Sequence, residues 1–262
     1  MSLYPEERRQ AILQLLHEQG RVMVADLSQR FGVSEVTVRG DLQSLARQGK
    51  LIRTHGGAVP VAAPSPVEPL LDDLRLERRQ RQHPEEKSLI GVAAAALVEE
   101  GDAIYLDGSS TALAIARHLK DRQMVTVLTS GLAVAQELMD APGITVVLPG
   151  GTVQKETSSL IDADGLAYLD KFNIQKCFIG AHGLALREGL TDISADVAEV
   201  KRALVARCRQ VIAIIDASKW GRVGLATFAP VEELDMVITD ADAPEDLVEA
   251  IREKGVDVRL VK

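Results

Sequence analysis

Between residues 5 and 48, apolar side chains return every three or four positions. Ile12, Leu15 and Leu16 form one stripe and predict a helix over 5–18, with Pro5 at its start and Gly20 beyond its end. Leu27 and Phe31 predict a short second helix over 24–30, closed by a turn at Gly32. Val38, Leu42 and Leu45 predict a third over 35–48, with Ser34 as N-cap. Those three face inward, which leaves Val36, Arg39, Gly40, Gln43 and Arg47 on the outer side.

Three helices with glycine at the tight turn fit helix-turn-helix geometry, whose third helix enters the DNA major groove. The following stretch, Lys50 to Ala58, pairs Gly56-Gly57 with Lys50, Arg53 and His55 and predicts a hairpin wing against phosphate. The candidate DNA contacts are Ser34, Glu35, Val36, Thr37, Arg39, Gly40, Gln43 and Arg47 on the helix, with Arg53, His55 and Gly56 on the wing. A three-helix protein-docking module with a basic surface has the same pattern.

Farther along, the pattern changes to short continuous apolar runs. These predict strands at 103–106, 125–129, 144–148, 177–179, 211–215 and 236–239, with a last one at 256–261. Helical stretches alternate with them at 86–99, 111–120, 131–139 and 195–209. Runs that are apolar without alternation suit parallel strands buried on both faces. The expected class is therefore α/β: an N-terminal winged helix-turn-helix, then a Rossmann-like, mostly parallel sheet domain.

Four prolines within residues 60–69 mark a stiff linker. A charged stretch, 74–87, reads as helical, with Pro84 near a helix start. The predicted boundaries are 1–58 for the first domain, 59–78 for the linker and 79–262 for the second domain.

Charge sharpens this division. Residues 1–60 carry eight Lys/Arg against six Asp/Glu, whereas 61–262 carry twenty-two against thirty-two. The overall −8 thus hides a mildly basic head on an acidic body, the balance of a small polyanion-binding module joined to something else. Aromatic residues make up only 3%, so Ala, Val, Leu and Ile must build the core. Cys177 and Cys208 make no disulfide framework and suit a reducing compartment. No leader opens the sequence and no apolar run is long enough to span a bilayer, so a cytoplasmic protein is expected.

Doubly wound sheets bind ligands at the C-terminal ends of their strands. Four polar clusters fall there: Asp107-Gly108-Ser109-Ser110-Thr111, Thr129-Ser130-Gly131, Pro149-Gly150-Gly151-Thr152 and Asp216-Ala217-Ser218-Lys219. Free N–H groups and hydroxyls in the first make an anion cradle. The same residues also fit an Asx-turn with Ser110 or Thr111 capping a helix. Lys219 suits a phosphate as a point charge or is a solvated loop lysine. Convergence of the four suggests a small, polar, anionic ligand. There is neither a Gly-x-Gly-x-x-Gly fingerprint nor a P-loop, so no nucleotide cofactor is expected. His118, His182 and the cysteines lack metal-ligand spacing, and His17 and His83 read as surface residues.

The run from Phe31 to Leu42 (Phe-Gly-Val-Ser-Glu-Val-Thr-Val-Arg-Gly-Asp-Leu), then Leu45 and Arg53-Thr54-His55-Gly56-Gly57-Ala58, resembles the DNA-binding domain of the DeoR family of bacterial transcriptional regulators. The likeness extends through Asp107–Thr111, Glu199-Val200-Lys201-Arg202 and Asp216–Lys219 and covers nearly the whole chain. It implies a regulator, a repressor by expectation, of a carbohydrate operon, acting on double-stranded operator DNA as a dimer or higher oligomer. It further implies a second domain similar to ribose-5-phosphate isomerase that senses a phosphorylated sugar. On that likeness Asp107 would accept sugar hydroxyls, while Gly108, Ser109, Ser110 and Thr111 would hold phosphate or hydroxyls. Lys219 would neutralise charge. Thr129, Ser130, Gly150, Gly151, His182 and Lys201 complete the candidate site, Lys201 being alternatively an ion-pair partner of Glu199.

Two positions depart from the family pattern. Gly40 stands where a second consecutive arginine is usual, and Ser130 stands where Asn is frequent. The loop after Ile179 reads Gly180-Ala181-His182-Gly183 and lacks the carboxylates that an isomerase needs as bases, so no enzymatic activity is expected.

Overall fold

The computed structural model describes residues 4–19, 21–48, 50–54, 56–60, 75–161 and 163–262. The chain divides into two units between Leu70 and Leu71.

The first unit runs α1 (Pro5–Gln19), β1 (Val22–Met23), α2 (Val24–Phe31), α3 (Glu35–Arg47), β2 (Leu51–Thr54) and β3 (Gly57–Pro60). Ile12, Leu16, Leu27, Val38, Leu42 and Leu45 share one buried core, as their spacing requires. Gly32 ends α2 in the left-handed conformation (φ 61°), which lets the chain turn sharply into α3. Ser34 caps α3 by accepting the Thr37 N–H at 3.2 Å. The three strands pair antiparallel in the order β1-β3-β2, which makes a winged helix-turn-helix. β1 was not expected, because two residues are too few for an alternating signal. Beneath the helices, Asp41 of α3 binds Arg8 Nε at 2.6 Å and Arg9 Nε at 2.9 Å from α1.

The second unit begins with α4 (Leu76–Arg81) and α5 (Pro84–Ala95). The charged stretch holds α4 and the start of α5: His83 is left-handed (φ 51°), and Pro84 starts the second helix, where a helix start was expected. α4 also begins inside the segment read as linker, because Leu76 is buried against the second unit. There follow β4 (Ala103–Leu106), α6 (Ser110–Arg117), β5 (Val125–Thr129), α7 (Leu132–Leu138) and β6 (Ile144–Val147). A hairpin comes next, β7 (Thr152–Gln154) and β8 (Ser159–Ile161), then α8 (Ala163–Leu169) and β9 (Ile174–Ile179). The remainder is β10 (Gly183–Ala185), β11 (Gly189–Asp192), α9 (Ala195–Val205), β12 (Cys208–Ile214), β13 (Ala226–Ala229), β14 (Met236–Asp240), α10 (Glu245–Glu253) and β15 (Asp257–Val261).

Seven strands form one parallel sheet in the order β15-β14-β12-β9-β4-β5-β6. Successive side chains go to opposite faces, and both faces are covered. Ile104, Phe178, Ile212 and Ile238 pack with α5, α6 and α7. Tyr105, Cys177, Ala213 and Val237 pack with α8, α9 and α10. This explains strands that read as unbroken apolar runs. The hairpin β7–β8 and the small antiparallel sheet β10-β11-β13 were not expected. Nor was α10, although Leu247, Val248 and Ile251 carry its helical spacing. The first strand, β4, is central: the chain winds from it to β5 and β6, then crosses to β9 and the opposite edge. The topological switch point therefore lies between β4 and β9.

Candidate functional site

In the first unit, Ser34, Glu35, Val36, Thr37, Arg39, Gly40, Gln43 and Arg47 of α3 are all exposed, as are Arg53 and Gly56 of the wing. His55 lies outside the described residues. Arg39 pairs with Glu35 one turn back at 2.7 Å, and Arg53 donates to Gln43 Oε1 at 2.7 Å, tying the wing to α3. Val36 is 75% exposed on the outer face of α3. A Cβ added at Gly40 would meet nothing within 4 Å. Gly40 is therefore not required by packing, and the face it leaves open is the outer face of α3.

In the second unit, a cavity of about 320 Å³ opens at the switch point. The loops after β4 and β9 meet there and are pinned by Asp107, which is 4% exposed. Its Oδ1 accepts the Ser109 N–H at 3.0 Å and its Oδ2 accepts the Gly180 N–H at 2.9 Å. The loops approach so closely that a Cβ on Gly180 would lie 2.8 Å from Ser109 Cβ, which leaves room only for glycine. Ser109 is the N-cap of α6, accepting the Ala112 N–H at 3.1 Å. The cap is thus not Ser110 or Thr111: these occupy the first turn of α6, and only Ser109 has the extended backbone that a cap needs.

Lys201 of α9 donates to Gly180 O at 2.8 Å and Asp192 Oδ2 at 3.0 Å, and lies 3.5 Å from Asp107 Oδ2. Burial alone would lower the Lys201 pKa, but Asp192 and Asp107 outweigh it and hold the ammonium above its ordinary value. Conversely, burial would raise Asp192, and Lys201 overrides it and keeps this carboxyl below its usual range. The Glu199–Lys201 pair considered from sequence does not form. Residues two apart on a helix do not face each other, and Glu199 is exposed.

Of the expected residues, Asp107, Gly108, Ser109, Ser110, Thr111, Ser130, His182, Lys201 and Lys219 come together on the cavity wall. Thr129 does not line it: fully buried, it accepts the Gly131 N–H at 3.0 Å. Gly150 and Gly151 lie in the turn between β6 and β7, also off the wall.

Several wall residues had no sequence signal. Asp192 arrives at the end of β11, and the β7–β8 hairpin supplies Gln154, Glu156 and Thr157. Arg79 and Lys87 enter from α4 and α5. Lys87 is buried, with its Nζ donating to the carbonyls of Arg79, at 2.6 Å, and of Gln82. Burial lowers its pKa to about 8, with Asp216 opposing and Lys219 and Arg79 assisting the shift. Arg79 Nε is buried with no hydrogen-bond partner among the described residues. An unmade buried donor costs about 1–3 kcal/mol, more for a charged group. Among the described residues no cluster of His, Cys, Asp and Glu suits a metal ion, and no helix is long and apolar enough to cross a membrane.

Comparison with known proteins agrees with both halves of this geometry. Residues 8–62 match the DeoR-like helix-turn-helix domain, and residues 82–241 match the DeoR C terminal sensor domain. The HTH-type transcriptional regulator GolR of Listeria innocua is 34% identical over 99% of this chain and 100% of its own length. A putative aga operon transcriptional repressor of Escherichia coli O157:H7 is 32% identical over 97% of this chain and 93% of its own. Among solved structures, ribose 5-phosphate isomerase A of Methanocaldococcus jannaschii is similar at 18% identity and a TM-score of 0.41, covering 53% of this chain and 55% of that one. The exposed recognition helix, the wing and the matched sensor domain thus belong to one kind of molecule: the chain is a member of the DeoR family of DNA-binding, helix-turn-helix transcriptional regulators.

Proposed function

We propose that this regulator is a cytoplasmic repressor of a carbohydrate-related operon, controlled by a phosphorylated sugar bound at the switch-point cavity. The observation that carries the reading is the composition of that wall. The hydroxyls of Ser110 and Thr111 at the start of α6 stand with the cations Lys219, Lys87 and Arg79 around one chamber. A helix N-terminus and fixed cations together suit a phosphate, and neighbouring hydroxyl, amide and carboxylate groups suit a sugar.

The chamber reads as a sensor and not a catalytic centre. Proton abstraction from a sugar needs a carboxylate whose pKa is raised toward neutrality. Asp107 accepts two backbone N–H groups, Asp216 accepts the Ser218 N–H, and Asp192 is held ionised by Lys201, which leaves Glu156 of the hairpin as the one wall carboxylate without such a tie among the described residues. The DNA-binding unit would act as a dimer or higher oligomer on repeated half-sites. Control requires only that the ligand bind the DNA-bound and released states with different affinity.

The test begins with selection of bound sequences from a random duplex library by the full-length protein. Operator affinity is then measured against a panel of sugar phosphates and their unphosphorylated sugars. A repeated motif, released by a phosphorylated member and not by its parent sugar, is expected. Operator affinity indifferent to every phosphorylated member, or equally sensitive to the parent sugars, would overturn the sugar-phosphate reading.

A further inference from the structure

Arg79 is the least explained charged group in the second unit. Its Nε is buried and unbonded, and its guanidinium faces the switch-point cavity. Asp107 and Asp192 are its nearest electrostatic compensation, and each is already bonded to other groups. Burial pushes its pKa down, a sign that the cation lacks full compensation.

The element that carries Arg79 is short and is held at both ends. The Leu76 N–H at the start of α4 donates to Glu156 O in the β7–β8 turn at 3.1 Å. At its far end, Lys87 Nζ grips the carbonyls of Arg79 and Gln82. Hairpin and α4 therefore form one assembly over the cavity, and both contribute to its wall. In chain order α4 is also the first described element after residues 61–74, the stretch that joins the two units.

We infer that an oxyanion bound in the cavity accepts the Arg79 Nε–H, and that this contact transmits ligand occupancy to α4 and so to the chain leading to the DNA-binding unit. The inference rests on the reading of the cavity as an anion sensor. The chemical class is a phosphate or carboxylate group. Either restores both the missing hydrogen bond and the missing counter-charge, whereas a sugar hydroxyl restores only the first. Ligand at the first turn of α6 alone makes no hydrogen bond to α4, which otherwise meets α6 only through packing. Ligand that also engages Arg79 fastens α4 and the hairpin to the sheet.

The experiment is hydrogen exchange on the full-length protein with inorganic phosphate as the probe, followed peptide by peptide. In the unaltered protein phosphate should slow exchange in residues 109–113 and also in residues 76–82. In Arg79→Gln, and more weakly in Arg79→Lys, protection of 109–113 should persist, that of 76–82 should vanish, and phosphate affinity should fall roughly tenfold or more. Protection of 109–113 without any at 76–82 in the unaltered protein overturns the inference and leaves the sensor reading standing. Retained protection of 76–82 in Arg79→Gln does the same. Protection of neither segment overturns both.

Discussion

Asp107 and Gly180 are 73 residues apart in sequence, yet the carboxylate of one accepts the N–H of the other at 2.9 Å. This bond joins the loops after β4 and β9 where the sheet reverses its winding, and so fixes the mouth of the cavity. Lys201 seals the same point by reaching Gly180 O, Asp192 and Asp107 together.

Removing that lysine should be costly. Lys201→Met leaves two buried carboxylates without their counter-ion, a change that typically destabilises by about 3–5 kcal/mol. Urea unfolding should register this loss. Adding Asp192→Asn to Lys201→Met should recover part of it; a strictly additive double variant would show that Lys201 and Asp192 are not energetically coupled.

Gly40 gives a prediction of the opposite sign. The space beyond it is open, so Gly40→Arg should fold normally and gain about 1 kcal/mol of helix propensity. If the new side chain reaches phosphate, duplex affinity should rise and its salt dependence should steepen by a slope of about 0.9. Unchanged affinity and unchanged sequence preference would show that position 40 does not face the DNA.

Val36 is the exposed apolar residue on the first turn of the recognition helix, and Gly40 is its neighbour one turn on. Apolar side chains read the thymine methyl in the major groove. Val36→Ala should therefore weaken operator binding by ~0.8 kcal/mol per buried methyl lost. Deoxyuridine in place of the contacted thymine should cost the unaltered protein affinity and cost Val36→Ala nothing. An equal penalty in both proteins would remove Val36 from base reading.

The Lys87 pKa of about 8 makes anion binding pH-dependent in a defined direction. The ammonium is charged below that value and neutral above it, so phosphate affinity should fall as pH rises from about 8 to 9.5, where phosphate is already predominantly the dianion and Lys87 loses its charge. The same shift bears on stability. Between about 8 and the ordinary lysine value of 10.5 the unfolded chain binds the extra proton, so this group's contribution to stability increases with pH across that window. The Lys87 Cε resonance in a nuclear magnetic resonance titration reads the midpoint directly, and a midpoint near 10.5 would contradict the assigned environment.

What the sequence determined by itself was local and periodic. Val38, Leu42 and Leu45 could line only one face of a helix, Ser34 could cap it, and the unbroken runs at 103–106 and 125–129 could be satisfied only by a sheet covered on both sides. The motif at Asp107–Thr111 was legible for the same reason, since strand, turn and cap are consecutive in the chain. Tertiary structure decided everything that depends on long separations. Lys201 took Asp192 and Asp107 in place of Glu199, because helix geometry turns neighbours two apart away from each other. Arg79 and Lys87, which read as part of an ordinary charged stretch, were carried to the cavity by the break at His83 and by the burial of Leu76. Period and composition report which face of an element is buried; they do not report which distant element buries it, and the cavity wall is made of those distant pairings.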